Sequence, residues 1–131
     1  HSFPRRVLFR SSEVLVAERG GRMLGAVGYV AAHQAKPDFF APDWPIVRLL
    51  SVAPIGRGRG VGQRLLDECV ARARRDGAPA LALHTTPVMR AAQGLYARSG
   101  FVVQRTLPDM YGVPYVLMTK DLSNMQEEPA C

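Results

Sequence analysis

The stretch Ile46-Val47-Arg48-Leu49-Leu50-Ser51-Val52 passes through Ala53-Pro54-Ile55 into Gly56-Arg57-Gly58-Arg59-Gly60-Val61-Gly62. An apolar run of strand length that breaks at Pro54 reads as a buried strand emptying into a glycine-rich basic loop. After the loop the apolar spacing becomes that of an amphipathic helix, with Val61, Leu65, Leu66, Cys69, Val70 and Ala73 on one face. The loop is therefore a helix N-terminus. Its first four N–H groups have no intrahelical partner, and the aligned peptide dipoles leave partial positive charge there. Gly58, Gly60 and Gly62 let a phosphate approach the backbone, and Arg57 and Arg59 add forked donors suited to its oxygens. The spacing predicts a cradle for a pyrophosphate. The bland alternative is a solvated Gly/Arg turn, which the strand before and the helix after disfavour.

Two common phosphate-binding patterns fail in this loop. Counting Gly-x-Gly-x-x-Gly from Gly56 puts Val61 in the third place, and counting from Gly58 puts Gln63 there. No Gly-Lys-Ser or Gly-Lys-Thr occurs, and Lys36 and Lys120 are the only lysines. Neither a nicotinamide site nor a nucleoside-triphosphate loop is supported.

Length and composition bound the rest. A chain of 131 residues, 47% hydrophobic, suffices for one domain with one core. We expect that domain over residues 1–122, with 1–11 an arm or short edge strand and 123–131 a polar tail. No run approaches eighteen apolar residues, and His1-Ser2-Phe3-Pro4-Arg5-Arg6 has no apolar stretch of signal-peptide length. A cytoplasmic protein without a membrane partner is the expectation. Cys69 and Cys131 read as free thiols in a reducing compartment, and no cysteine–histidine cluster has metal-ligand spacing. The net charge of +6 invites a nucleic-acid reading. The arginines are spread along the chain, however, and a ligand with several phosphates accounts for part of the excess.

Glu13 to Glu18 reads as a strand, Arg19-Gly20-Gly21-Arg22 as a hairpin turn, and Met23 to Ala31 as a second strand. The small residues Gly25, Ala26 and Gly28 in that second strand imply close approach of something packed on it. Ala32 to Pro45 is a loop, whose Phe39, Phe40 and Trp44 read as folded onto the core or as the wall of a substrate pocket. The strand and helix of the opening stretch follow, the helix spanning Gly60 to Arg75 and ending at Asp76-Gly77. Ala80 to Leu83 is a central strand. Thr85 or Thr86 caps a second helix that runs through Pro87 to Arg98, with Val88, Ala92 and Leu95 on one face. Phe101-Val102-Val103 and Tyr115 to Met118 are the last strands, around a Pro108–Pro114 loop. The predicted fold class is α/β (α+β), a mixed sheet with helices packed on it.

Two separate segments carry a resemblance. Arg57, Gly60 and Gly62 fit the pattern Arg/Gln-x-x-Gly-x-Gly/Ala, preceded by Leu50-Ser51-Val52 and Pro54. Leu95-Tyr96-Ala97-Arg98-Ser99-Gly100-Phe101, with Ala92 ahead of it, fits Leu-Tyr-x-x-x-Gly-Phe. Together these resemble the GNAT family of N-acetyltransferases, and the gap between them is that of the family. The resemblance implies a mostly antiparallel central sheet flanked by helices, acetyl-CoA as cosubstrate, and direct attack by an amine on the thioester. It implies that Leu50, Ser51 and Val52 run beside the pantetheine arm, with the Val52 N–H polarising the thioester carbonyl. The amides of Gly58, Arg59, Gly60, Val61, Gly62 and Gln63 would hold the pyrophosphate, with the Arg57 and Arg59 side chains in support. Tyr96 would act as general acid toward the departing thiolate; otherwise it is a core aromatic beside Ala92.

The chain departs from the family's pattern in three places. Arg48 stands where a Glu often serves as general base, and Met89 where an Asn is common. His84 and His33 are the other candidates for a base, each readable as a structural or surface histidine. Only a dozen residues precede the Val14 strand, where the family has a strand and two helices that wall the acceptor side. Either the chain is a shortened form, or another protomer of a homodimer builds that side, or it is open. An open side would favour a protein or peptide amine over a small molecule, though the acceptor is left as either. A non-catalytic acyl-CoA-binding or regulatory module is the alternative function, and a nucleic-acid-binding domain a third that leaves Leu95–Phe101 unexplained.

Overall fold

The computed structural model describes residues 5–8 and 12–123. Cys131, the 124–131 part of the tail and the remaining residues of the 1–11 segment lie outside the described residues. Among the described residues, seven strands form one sheet: β1 (Arg5–Leu8), β2 (Glu13–Arg19), β3 (Arg22–Val30), β4 (Ile46–Val52), β5 (Ala80–Thr85), β6 (Val102–Met110) and β7 (Val113–Asp121). Their spatial order is β1-β2-β3-β4-β5-β7-β6. Every neighbouring pair is antiparallel except β4 and β5. Of the two forms open for the first residues, Arg5–Leu8 takes the edge strand and pairs with β2. Among the described residues the helices are α1 (Val61–Arg75) and α2 (Arg90–Arg98), and no helix is long and apolar enough to cross a membrane.

The sheet separates two clusters of apolar side chains. On the helix side, α1 buries Val61, Leu65, Leu66, Cys69 and Ala73 against Leu15, Val27, Val47, Leu81 and Leu83. Gly25 is what lets α1 lie so close to β3: a Cβ there would stand 2.8 Å from the Ser51 carbonyl oxygen and 3.0 Å from Val61 Cγ1. On the other side, Val30, Ile46, Ala82, Leu107 and Leu117 gather under Phe40, with Phe39, Trp44 and Tyr115 against them. The aromatic loop is folded onto the core. Both helices end in a hydrogen-bonded reversal. Ala78 N–H donates to Ala73 O and Gly77 N–H to Arg74 O, as Phe101 N–H does to Tyr96 O and Gly100 N–H to Ala97 O.

Three expectations are corrected. Strand β4 is buried only at Ile46 and Val47; Arg48, Leu49 and Ser51 are exposed, because the second half of β4 lacks a neighbour on one side. The expected Pro108–Pro114 loop is the continuation of β6 and β7 around a two-residue turn, Tyr111 and Gly112, at φ 56° and 79°. Helix α2 begins at Arg90, with Met89 before it and no side-chain cap. The Thr85 and Thr86 hydroxyls are buried without a hydrogen-bond partner, and Met89 N–H donates to Thr86 O instead.

Candidate functional site: a cleft where two strands part

Strands β4 and β5 are paired through Ile46 and Ala82, with Ala82 N–H donating to Pro45 O, and then diverge. Near the divergence β4 carries an extra residue. Gly28 pairs with Arg48 and Ala26 with Ser51, so two residues, Leu49 and Leu50, oppose Val27 alone. Leu49 takes φ 55° and is 83% exposed. Such a bulge bends its strand and disrupts the ladder locally. Ala53 N–H donates to Leu24 O on β3. Strand alternation therefore turns the N–H of Val52 the other way, toward the side that β5 has left.

A cleft of about 610 Å³ opens on the helix side of this gap. Its floor is Leu50 and Val52 from β4, and one rim is the loop and first turn of α1. Of the residues read as donor-binding, Leu50, Val52, Arg57, Gly58, Gly60, Val61, Gly62 and Gln63 line it together. Ser51 and Arg59 are exposed and lie outside the lining, Ser51 because it alternates with Leu50 and Val52. Gly60 is the N-cap of α1 at φ 74° and ψ 16°, a left-handed conformation that favours glycine. No side chain caps this end and its first turn has no acidic residue. The helix thus presents its early amides and partial positive charge to the cleft.

The opposite rim is α2, through Ala91, Ala92, Leu95 and Arg98. These four, together with Gly56, were not among the residues read as donor-binding. Their helical spacing, with Ala92 and Leu95 beside the Leu-Tyr segment, was the signal available for them. Gly62 sets the distance between the rims, since a Cβ there would meet Leu95 Cδ2 at 3.2 Å. Gln63 ties them further: its Nε2 donates to Asp67 Oδ1 at 2.8 Å and to Ser99 Oγ at 2.9 Å. Lys120 Nζ donates to Ser99 O, placing a cation at the C-terminal end of α2.

Tyr96 follows Leu95 on α2 but is not among the cleft-lining residues. It is 7% exposed, within the helix-side cluster, with its ring centroid 6.0 Å from that of Phe101. Burial raises its pKa, and the nearby Cys69 thiol, itself pushed up to about 12 by burial, adds to the rise. Tyr96 is thus a protonated phenol at any physiological pH. His84 is half-buried near the end of β5, and burial and the Arg48 guanidinium both lower its pKa. His33 is exposed in the loop at φ 67°, and its N–H donates to Pro42 O. Position 48, where a base would be expected, holds an exposed cation.

The model of the Acetyltransferase (GNAT) family matches residues 2–101. A Xenopus tropicalis protein named Probable N-acetyltransferase camello is 36% identical over 90 residues, covering 69% of this chain and 38% of that protein. The chain thus spans well under half of that relative. Among solved structures, a ribosomal-protein-alanine N-acetyltransferase from Brucella melitensis aligns with TM-score 0.68 and 28% identity, over 85% of this chain and 69% of that one. A GNAT family acetyltransferase from Elizabethkingia anophelis with acetyl-CoA bound aligns with TM-score 0.67 and 17% identity, over 86% and 77%.

Proposed function

The chain belongs to the acetyltransferase (GNAT) family, and on that premise we propose that it transfers the acetyl group of acetyl-CoA to an amine. The observation that carries this reading is the cleft: a glycine-lined, uncapped helix end, free of acidic residues, faces a strand that has parted from its neighbour. The residues fit the donor. Amides of Gly58 to Gln63 and the Arg57 guanidinium suit a pyrophosphate, and the apolar strip of Leu50, Val52, Ala92 and Leu95 suits a pantetheine arm. The bound donor supplies an activated thioester. Val52 N–H donates to the thioester carbonyl oxygen, where negative charge grows as the amine adds. Tyr96, the residue after the cleft-lining Leu95, gives its proton to the departing sulfur. The amine is a small molecule or part of a protein, and we place the protein in the cytoplasm.

A second reading, a module that binds acyl-CoA without turnover, is favoured by the cation at position 48. Calorimetric titration with acetyl-CoA and coenzyme A, beside a thiol-release assay with amine mixtures, decides between the two. Micromolar binding with release of free thiol supports the transferase, and binding without any release supports the module. A folded protein that binds neither ligand overturns both.

A further inference from the structure

Beside the donor cleft, two turns project from one end of the sheet, and most of their side chains lie outside the cleft lining. One is the β2–β3 turn, with Gly20 and Gly21 at φ 59° and 78°. The other runs from the 3-10 turn Pro54–Gly56 to Gly60 at the start of α1. They are neighbours: Ala53 N–H donates to Leu24 O at 2.8 Å, and a Cβ on Gly56 would stand 2.6 Å from the same oxygen. Both are convex, since a Cβ on Gly20, Gly21, Gly58 or Gly60 would meet nothing within 4 Å. Arg19, Arg22 and Arg59 are exposed on them, and none has a carboxylate partner among the described residues. Arg19 stands directly opposite Arg22, a like-charge pair that costs stability until an anion meets it. No Asp or Glu occurs between Asp43 and Asp67, and Glu18, the acidic residue of the hairpin end, has contacts of its own. Among these cations Met23 is 57% exposed and Ile55 39%. Met23 lies two residues before Gly25 and so turns to the helix side, where Pro54–Gly56 leads into α1.

We propose that this tip docks on an anionic lipid surface. Met23 and Ile55 dip into the boundary between headgroups and acyl chains, and the guanidinium forks of Arg19, Arg22 and Arg59 meet lipid phosphates and carboxylates. Charge and shape both select this partner. A convex tip offers a peptide no groove and matches a plane. The phosphates of a nucleic acid would suit the arginines, but two aliphatic side chains gain nothing from them, and the tip carries no aromatic ring to stack on a base. No spanning helix is needed. The expected lack of a membrane partner followed from the lack of a long apolar run, whereas three cations and two apolar side chains give a reversible, salt-sensitive attachment. Arg59 adjoins Gly58, which lines the cleft with Arg57, so the docked chain holds its donor cleft beside the headgroups.

The probes are vesicles of phosphatidylcholine alone and of phosphatidylcholine with three-tenths phosphatidylserine, sedimented with the full chain. The wild type should partition onto the anionic vesicles about tenfold better than onto the neutral ones, and lose that advantage as salt rises from about 0.1 M to about 0.5 M. Arg19→Gln combined with Arg22→Gln should lower the partition about 30-fold. The same variant should keep the acetyl-CoA Kd within about twofold and its thermal midpoint equal or higher, because the like-charge pair is gone. Met23→Ser should lower the partition about tenfold at low salt, a loss that a purely electrostatic contact would not show. If the double variant fails to fold, Arg22→Gln alone should lower the partition about fivefold. A folded wild type that binds neither vesicle, or both equally, overturns the proposal. So does retention by duplex RNA without binding to vesicles, and so do arginine or Met23 variants that sediment like the wild type.

Discussion

The two sides of the β4–β5 gap are built differently. On the donor side, backbone amides, glycines and short apolar side chains face the cleft, and two helices locked by Gln63 hold them. On the other side, Phe39, Phe40, His84 and Tyr115 are large side chains, two of them on the loop between β3 and β4. Backbone recognition suits a ligand whose chemistry never varies. Side chains on a loop suit one that does. The difference teaches where this fold keeps rigidity and where it leaves choice.

The largest test of that contrast is stability. Leu65 is fully buried under the donor side, and Leu65→Ala should cost about 3 kcal/mol. Phe39→Ala, at a partly buried loop position, should cost about 1 kcal/mol. Urea unfolding reads both, and equal costs would break the contrast. Next comes chemistry. Tyr96→Phe keeps the ring and removes the proton, so kcat should drop about 100-fold while the acetyl-CoA Kd stays within twofold. Because its pKa is raised from 10.0, no alkaline loss below pH 10 should belong to Tyr96.

A smaller effect separates charge from shape in the cradle. Gly60→Asp and Gly60→Asn impose the same strain on a left-handed N-cap, and a Cβ there has open space. The Asp variant should bind acetyl-CoA about tenfold more weakly than the Asn variant, a difference of about 1.4 kcal/mol. Equal affinities would mean that no anion sits at this helix end. The smallest effect is the pH dependence from the other face. His84 has a folded-state pKa below its ordinary 6.5, so just below pH 6.5 the unfolded chain binds more protons than the folded one. Stability present above pH 6.5 should decline as pH falls through 6.5 toward the folded value. His84→Gln should flatten that part of a stability–pH profile.

How much of this was legible depended on whether a residue's role is local. The loop and α1 were readable because a strand, a glycine run and a helical period are consecutive, and Gly25 because small residues in a strand imply a close neighbour. The last two strands were readable, but their continuation into one tight hairpin was not, since Pro108 and Pro114 argued for a loop. In the structure β6 is an edge strand, neither proline pairs in the ladder, and the register shifts between Leu107 and Met110. Those are sites where a missing N–H costs little. The bulge at Leu49 was equally hidden, because a leucine at positive φ follows from pairing with β3. Of the cleft, the α1 rim was legible from its glycines. The α2 rim and the exclusion of Ser51 and Arg59 required knowing which faces meet.

The parting of β4 from β5 also divides the molecule for purposes other than chemistry. Strands β1 to β4 with α1 precede the Asp76–Pro79 connection in the chain; β5, α2, β6 and β7 follow it. The cleft draws its walls from both portions. A chain cut at the exposed Gly77 would yield two fragments whose reassembly is promoted by whatever fills the cleft. Complementation of such halves, scored by a reporter fused to each, would turn donor occupancy into an assembly signal that needs no knowledge of the acceptor.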